Sequence, residues 1–223
     1  MAELLPSVVV DAKGSHQATV IWLHGLGDSG NGFAPIVPAL NIPDALGIKF
    51  IFPHAPVRPV TINNGMAMRA WYDIKSMDFG SRADLDGVKE SAAQVEALIE
   101  AEIAAGIPPH KIVLAGFSQG GVISYYLGCR YGKALAGIMT LSTYMADGET
   151  LAAQMSELSR IVPIFAAHGT HDDVVPVTMG KAAYQQVAAL GYNATWKEYP
   201  MQHNVCPEEV NDISNWLQKR LGD

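Results

Sequence analysis

The amino-acid sequence has 223 residues, a net charge of −7, 49% apolar residues and 17% charged residues. No run of Lys and Arg offsets this acidic balance, which argues against a nucleic acid or an anionic membrane surface as a partner. A chain of this length and composition can bury a sizeable core, and we expect a single domain over residues 1–223.

The N-terminal segment and the two cysteines indicate a cytoplasmic protein. The first residues, M-A-E-L-L-P-S-V-V-V-D, have neither a basic start nor a long apolar stretch, so no signal peptide is expected. No apolar run approaches the roughly 20 residues that a membrane-spanning helix needs, so no stable membrane insertion is expected. Cys129 and Cys206 form no C-x-x-C pair and are expected to be free thiols.

The first predicted strand, 18–24, leads into a glycine-rich loop with two competing interpretations. Gly25, Gly27 and Gly30 match the G-x-G-x-x-G pattern of a dinucleotide site. Such a site needs a helix that opens at the third glycine and an acidic residue about 20 residues further on. Two prolines soon after the loop allow only a short helix, and the end of the next strand, 48–53, has no acid. The glycines therefore favour a loop whose backbone lies close to a substrate.

The segment 55–80 has no clean periodicity and is expected to be a long loop. It carries an adaptable apolar set that includes Met66, Met68 and Trp71. Two interpretations are open: the loop packs down on the core, or it forms a wall of the substrate site. Because long loops in small domains are often functional, we favour the second interpretation.

Strand-like and helix-like segments alternate through the rest of the chain. The helix 81–106 has apolar residues at three- and four-residue steps, with Ser81 as its expected cap and Gly106 at its end. Further strands are expected at 111–116, 135–141, 162–168 and 194–199, and further helices at 119–131, 177–190 and 207–221. This alternation predicts an α/β fold, with a mostly parallel sheet, helices on both faces and ligands at the carboxyl ends of the strands.

The sequence G-F-S-Q-G-G at 116–121 lies between a predicted strand and a predicted helix. A G-x-S-x-G pattern in this place is typical of a nucleophile elbow, a sharp turn that lifts the serine hydroxyl above the sheet edge. Ser118 is therefore the candidate nucleophile, and the backbone N–H of Gln119 is a candidate donor to an oxyanion. The glycine loop after the first strand offers a second donor, for which we select the Leu26 N–H.

A serine hydroxyl needs a histidine to take its proton and a carboxylate to orient that histidine. On this fold, an acid and then a histidine follow the serine along the chain. His203, between the last strand and the last helix, is the predicted base, whereas His168 is expected to shape a turn. The loop after strand 162–168 offers Asp172 and Asp173. Spacing does not separate these two, and one of them is expected to cap the next helix.

The histidine and cysteine spacing gives no indication of a metal site. Seven histidines and two cysteines are present, without H-x-H, H-E-x-x-H or a cysteine pair. We therefore expect neither a metal nor a cofactor. His54, which ends a predicted strand beside prolines, is expected to be structural.

These segments together resemble the acyl-protein thioesterase and bacterial carboxylesterase family of α/β-hydrolases over nearly the whole chain. The matching stretches, in chain order, are L-H-G-L-G-D-S-G at 23–30, P-H-A-P-V-R-P-V-T-I-N at 53–63, W-Y-D-I at 71–74, G-F-S-Q-G-G at 116–121, H-G-T-H-D-D-V-V-P at 168–176 and H-x-V-x-P-x-E from His203. One departure is Gln202, since the family usually has glycine before the histidine.

The resemblance implies an α/β-hydrolase fold without a large lid domain, and a cofactor-free serine hydrolase that cleaves carboxylic esters through an acyl-enzyme. The site residues that it implies are Ser118 as nucleophile, Asp172 rather than Asp173 as acid, His203 as base, and the N–H groups of Leu26 and Gln119 as oxyanion donors. The substrate would be a small-molecule or lipid acyl ester or thioester, and a homodimer is compatible with the family. Thioester cleavage on proteins and lysophospholipid cleavage are alternative main activities. A non-catalytic binding module is disfavoured because no triad member is missing.

Overall fold

The structure, a computed structural model, describes residues 4–222 of the chain. The strands are β1 Ser7–Val10, β2 Ala18–Leu23, β3 Ile48–Pro53, β4 Val57–Val60, β5 Met66–Arg69, β6 Ile112–Phe117, β7 Gly137–Leu141, β8 Ile164–Gly169 and β9 Ala194–Tyr199. The helices are α1 Gly30–Phe33, α2 Ile36–Ala39, α3 Leu85–Ala104, α4 Gln119–Gly128, α5 Gly148–Gln154, α6 Glu157–Arg160, α7 Val177–Ala189 and α8 Pro207–Leu221.

Seven of these strands form one sheet in the order β1-β3-β2-β6-β7-β8-β9. Every neighbouring pair is parallel except β1 and β3. Helices α3, α4 and α7 pack on one face, and α1, α2 and α8 pack on the other, each over its own apolar cluster. The expected α/β fold with a mostly parallel sheet between two helical layers is therefore confirmed.

The central strands are apolar on both sides because both faces of the sheet are covered. All six residues of β2 are buried, and so are all six residues of β6. In their register, Leu23 at the end of β2 lies beside Gly116 of β6, and Phe117 lies beside Leu141 of β7. The carboxyl ends of these parallel strands meet at one edge, which collects the loops that follow them.

The segment 55–80 is not the unstructured loop that its lack of periodicity suggested. It contains an antiparallel ribbon of β4 and β5, in which Val57 pairs with Arg69 and Val60 with Met66. The turn between the two strands includes Asn64 and Gly65, both with positive φ. An Asn-Gly pair suits such a turn, because both residues tolerate a left-handed backbone, and it was the hairpin signal in the sequence.

The first long helix begins later than expected. Helix α3 starts at Leu85 with Asp84 at its cap position, so the prediction that Ser81 caps it is wrong. The Ser81 hydroxyl instead donates to the Asp78 carboxylate over 3.1 Å, within a turn. The predicted end is confirmed, since Gly106 takes a φ of +103° just past the helix. The sequence analysis also missed β1 and the short helices α5 and α6.

Helix α8 carries a buried carboxyl at its start, directly behind the loop that contains His203. Glu209 is 0% exposed, and neither of its oxygens has a hydrogen bond of normal geometry within the described residues. Burial raises the pKa of Glu209 to about 8, with a further contribution from the nearby Asp212 carboxylate. Glu209 is therefore neutral in the folded protein at neutral pH, although it is ionised in the unfolded chain.

The close packing of α4 against the end of β2 leads to a test with a matched control. A Cβ at Gly120 would lie 2.4 Å from the Leu23 carbonyl oxygen, whereas a Cβ at Gly132 would meet nothing within 4 Å. We expect Gly120→Ala to lower the free energy of unfolding by about 1–3 kcal/mol or more, because backbone must move to admit the methyl group. Gly132→Ala should be neutral or slightly stabilising. Denaturant unfolding measures both; equal stabilities would contradict the packing argument.

The buried Glu209 predicts a pH dependence of stability. Its folded pKa lies above the unfolded value of about 4.3, so the folded state holds a proton that the unfolded state loses as the pH rises. Between about pH 5 and pH 8, wild-type stability should fall relative to Glu209→Gln by up to about 1.4 kcal/mol per pH unit. The exposed neighbour provides the control, since Glu208→Gln should leave the wild-type slope unchanged. Identical slopes for wild type and Glu209→Gln would contradict the raised pKa.

Candidate active site

Ser118 occupies the turn between β6 and α4, at the carboxyl edge of the sheet. Its backbone has φ 53° and ψ −120°, a conformation that non-glycine residues rarely adopt. The Ser118 N–H donates to the Leu141 oxygen over 2.9 Å, and its carbonyl accepts from the Thr143 hydroxyl over 2.6 Å. A Cβ at Gly116 would lie 2.3 Å from the Gly120 oxygen, so the glycines are required by contact. This is the geometry expected of a nucleophile elbow.

His203 lies between the Ser118 hydroxyl and the Asp172 carboxylate. Its Nε2 is 2.9 Å from Ser118 Oγ, and its Nδ1 is 2.6 Å from Asp172 Oδ2. The carboxylate can only accept from Nδ1, which leaves Nε2 free to accept from the serine hydroxyl. The imidazole also packs on the Phe117 ring, with centroids 4.9 Å apart. The structure thus brings together all three side chains that the sequence predicted for the nucleophile, the base and the acid.

Asp172 is buried and Asp173 is exposed, so tertiary structure separates two residues that spacing could not. Asp172 Oδ1 accepts the backbone N–H groups of Val174 and Val175, over 2.9 and 2.8 Å. Burial alone would raise the pKa of Asp172, but hydrogen bonds from His168, His203 and Val175 outweigh it and hold that pKa well below its usual range. The Asp172 carboxylate therefore stays charged opposite His203 at neutral pH.

The prediction that one of these aspartates caps the following helix is wrong. Pro176 occupies the cap position of α7, and no side chain donates or accepts there. Asp172 uses its carboxylate on its own turn instead, as the two bonds from Val174 and Val175 show. A carboxylate that must face a histidine cannot also face the end of a helix.

His168 shapes the acid loop, as the sequence analysis expected. Its Nε2 is 2.8 Å from the Val175 oxygen and 3.4 Å from Asp172 Oδ2. Its Nδ1 faces Gly180, where a Cβ would lie only 2.2 Å away. Since both partners of Nε2 are acceptors, the imidazole carries its proton on Nε2 and donates from there.

The loop after β2 lies directly against the serine turn. A Cβ at Gly25 would be 3.4 Å from the Ser118 Cβ, and the Gly27 N–H donates to the Arg69 oxygen over 2.8 Å. The Leu26 N–H has no acceptor among the hydrogen bonds of residues 4–222. Gln119 is the first residue of α4, a position whose N–H has no partner within a helix. Both predicted oxyanion donors thus lie in the two backbone segments that approach Ser118.

The nucleotide alternative for this loop has no support in the fold. A helix does begin at Gly30, but α1 ends at Phe33 after a single turn. The Gly30 N–H donates to His54 Nδ1 over 3.1 Å. Burial lowers the pKa of His54, so the expected structural histidine is a neutral acceptor at the start of this helix.

The three residues that were predicted to form a substrate wall have different environments. Met66 is 65% exposed on the β4–β5 ribbon, and Met68 is half-buried, with its Sδ 3.7 Å from the position of a Gly27 Cβ. Trp71 has no exposed surface, so the prediction that it lines the site is wrong. Its indole N–H donates to the His24 carbonyl over 2.8 Å, behind the glycine loop. Sequence does not separate a tryptophan that supports a site from one that lines it.

The loop after β7 borders a groove that the sequence analysis missed. This groove, of about 430 Å³, has a mixed lining that includes Phe79, Met145 and Met179 together with polar side chains such as Asp147, and none of the candidate catalytic residues lines it. Tyr144, one residue after Thr143, packs edge-on against Phe79 with ring centroids 5.2 Å apart. The available signal was the position of β7 beside β6, which places its following loop next to Ser118. A larger cavity of about 740 Å³ lies between β1 and α2 and includes none of the site residues.

Two further features of the described chain bear on its chemistry. Within residues 4–222, no group of three or more His, Cys, Asp or Glu side chains is placed to hold a metal ion. No helix in the same range combines the length and hydropathy needed to cross a membrane.

Comparison with known proteins gives concordant matches over the whole length. The sequence profile of the phospholipase/carboxylesterase family matches residues 5–221. Acyl-protein thioesterase 1 of Yarrowia lipolytica is 39% identical over 221 residues, covering 97% of both chains. Among solved structures, acyl-protein thioesterase 2 of Zea mays superposes with a TM-score of 0.88 at 31% identity, covering 97% of this chain and 99% of the other. SOBER1 of Arabidopsis thaliana gives 0.86 at 34% identity, covering 92% and 99%.

Proposed function

Because this chain belongs to the phospholipase/carboxylesterase family, we propose that it is a serine hydrolase that cleaves carboxylic esters and acyl thioesters through an acyl-enzyme. The observation that carries the proposal is the continuous chain of hydrogen bonds from Ser118 through His203 to Asp172, of 2.9 and 2.6 Å. A buried carboxylate, an imidazole and a serine in this order are the components that activate a hydroxyl for attack on a carbonyl carbon.

In the proposed mechanism, Ser118 Oγ attacks the acyl carbonyl while His203 Nε2 takes the hydroxyl proton. Asp172 stabilises the imidazolium, and the N–H groups of Leu26 and Gln119 bind the oxyanion. His203 then passes the proton to the departing alcohol or thiol as the carbonyl reforms. Water, activated by the same histidine, attacks the acyl-enzyme and releases the carboxylic acid. This sequence of steps requires no cofactor and no metal.

The acyl group is proposed to lie among the apolar residues around Ser118. The Met68 Sδ lies 3.7 Å from the position of a Gly27 Cβ in the glycine loop, and the exposed Met66 lies on the same β-ribbon. The groove beside the loop after β7 includes Met145 and Met179. These methionines suit an aliphatic chain, because their side chains offer adaptable apolar contacts. The curated relatives named acyl-protein thioesterase make a thioester on a protein the main alternative to a small ester, with a lysophospholipid as a third substrate. Values of kcat/KM over an acyl-length series, for esters and matched thioesters, distinguish these substrates.

The proposal places the enzyme in the cytoplasm, as a single domain able to form a homodimer. Cys129 and Cys206 are both free thiols, which suits a reducing compartment. Both helical layers pack on one shared sheet, which favours a single folding unit. The oligomeric state is measured directly by sedimentation of the purified protein.

Removal of the nucleophile tests the proposal. We expect Ser118→Ala to lower the turnover of p-nitrophenyl acyl esters by at least about 10⁴-fold, the scale found for other triads. It should also abolish labelling by a fluorophosphonate probe. Ser15→Ala, an exposed serine before β2, is the matched control and should keep both activities. Full turnover in Ser118→Ala would refute the mechanism, and a folded wild type that the probe does not label would favour a non-catalytic module.

The two neighbouring aspartates give an internal comparison. Asp172→Asn should lower kcat by about 10⁴-fold, because an amide at this place favours the wrong histidine tautomer. Asp173→Asn should change kcat by less than about twofold, since its exposed carboxylate has no role in the mechanism. Steady-state kinetics on one ester measure both variants. A larger loss in Asp173→Asn than in Asp172→Asn would show that the acid is wrongly assigned.

A further inference from the structure

Both polar atoms of the Gln119 side chain are hydrogen-bonded, although the proposed mechanism needs only the backbone N–H of this residue. Its Oε1 accepts the backbone N–H of Trp71 over 2.7 Å, and its Nε2 donates to the backbone carbonyl of Tyr72 over 2.7 Å. The residue is 3% exposed, so no water competes for these bonds. The Gln119 amide thus pairs with a backbone N–H and a backbone carbonyl of two consecutive residues, nearly fifty positions away in the chain. Only a side chain with both a donor and an acceptor can make these two bonds.

Trp71 continues this connection to the loop after β2. Its indole N–H donates to the His24 carbonyl over 2.8 Å, and its ring centroid lies 5.3 Å from that of His24. The Trp71 carbonyl accepts the Ser91 hydroxyl, so the segment is also held from α3. Trp71 is 0% exposed, so these contacts are made away from solvent.

His24 is itself fixed on both sides. Its Nδ1 lies 2.6 Å from the Gly25 oxygen, and its Nε2 accepts the Ala55 N–H over 3.0 Å. Because Nε2 is an acceptor, Nδ1 carries the proton, and burial lowers the pKa of the imidazole so that it stays neutral. Leu26, the second oxyanion donor, follows two residues later. Hydrogen bonds therefore run from Gln119 through Trp71 to the loop that carries Leu26.

We propose that the Gln119 side chain is a positioning residue that sets the distance between the two oxyanion N–H groups, its own and that of Leu26. This inference rests on the proposed function, since it assigns a role within the same site. Oxyanion donors accelerate a reaction only when they are held in place before the charge develops, and a displacement of about 1 Å can cost about 10²-fold in rate. The hydrogen bonds of Trp71 to Gln119 and to His24 supply that rigidity from outside the site.

The test exploits the fact that substitution of the side chain leaves the backbone N–H in place. Gln119→Glu keeps the acceptor for the backbone N–H of Trp71. When the new carboxylate is ionised, however, its second oxygen faces the Tyr72 carbonyl oxygen, and two acceptors cannot form a hydrogen bond. A protonated carboxyl restores the donor, and burial favours protonation toward neutral pH. His24 is neutral above its lowered pKa, and burial raises the pKa of Tyr72 well above its usual range, so Tyr72 does not titrate in this interval.

The measurement is kcat for p-nitrophenyl butyrate between about pH 6 and pH 9, expressed as the ratio of variant to wild type at each pH. For Gln119→Glu we expect a ratio near about 10⁻² at the alkaline end that recovers toward one at the acid end, with little change in KM. Gln119→Met, which has similar volume and no polar group, should be slow at every pH. Gln154→Glu, at an exposed glutamine, controls for the added carboxylate and should match wild type.

A second readout separates positioning from loss of folding. Affinity for a trifluoromethyl ketone, which forms an oxyanion on the serine, should fall in parallel with kcat while KM stays constant. A Gln119→Glu ratio that does not change with pH, whether high or low, would overturn the inference, as would wild-type kcat in folded Gln119→Met. If Gln119→Met does not fold, the pH dependence of the Gln119→Glu ratio by itself decides whether the inference holds. An inactive wild type, or activity that survives Ser118→Ala, would refute the proposed function instead.

Discussion

The close approach of the serine turn to the loop after β2 is the constraint on which the site depends. The register that places Leu23 beside Gly116 brings these two backbone segments to the same point of the sheet edge. Position 120 then leaves no room for a side chain, since a Cβ at Gly120 would come within 2.4 Å of the Leu23 oxygen, and a Cβ at Gly25 would touch the Ser118 Cβ at 3.4 Å. This contact places the loop that carries Leu26 against the turn that carries Ser118 and Gln119. The strained backbone of Ser118 is held from the neighbouring strand through its bond to Leu141.

The Asp172–His203 pair depends on a different constraint, because a buried carboxylate is stable only when its oxygens accept hydrogen bonds. Asp172 accepts two backbone N–H groups on one oxygen and the His203 imidazole on the other. Those bonds outweigh burial, so the residue stays ionised in a place where an unpaired carboxyl would be protonated. Glu209 shows the contrast within the same region, since burial without comparable bonds raises its pKa to about 8.

Most of the central sheet and the three side chains of the proposed triad could be predicted from the sequence. Ser118, His203 and the pair of aspartates stand out because each follows a strand-like run, in the chain order that a hydrolase of this fold requires. The predictions that failed concern residues whose roles depend on distant partners. Trp71 is apolar in a loop, and only the His24 carbonyl behind it shows that it is a support. Ser81 precedes a helical pattern, yet its hydroxyl donates to the nearby Asp78 carboxylate and does not cap the helix.

The sequence by itself determined the order of the parallel strands and the long helices, the glycines around the serine and the identity of the chemical groups. These are local properties, set by apolar periodicity and by the lack of a side chain where backbone segments cross. Spacing left Asp172 and Asp173 open and the family resemblance implied Asp172, but only the tertiary structure gives the physical reason, since it is the Asp172 carboxylate that faces His203. It also decided the use of the Gln119 amide, whose two partners at Trp71 and Tyr72 become neighbours only when the sheet and its loops have assembled.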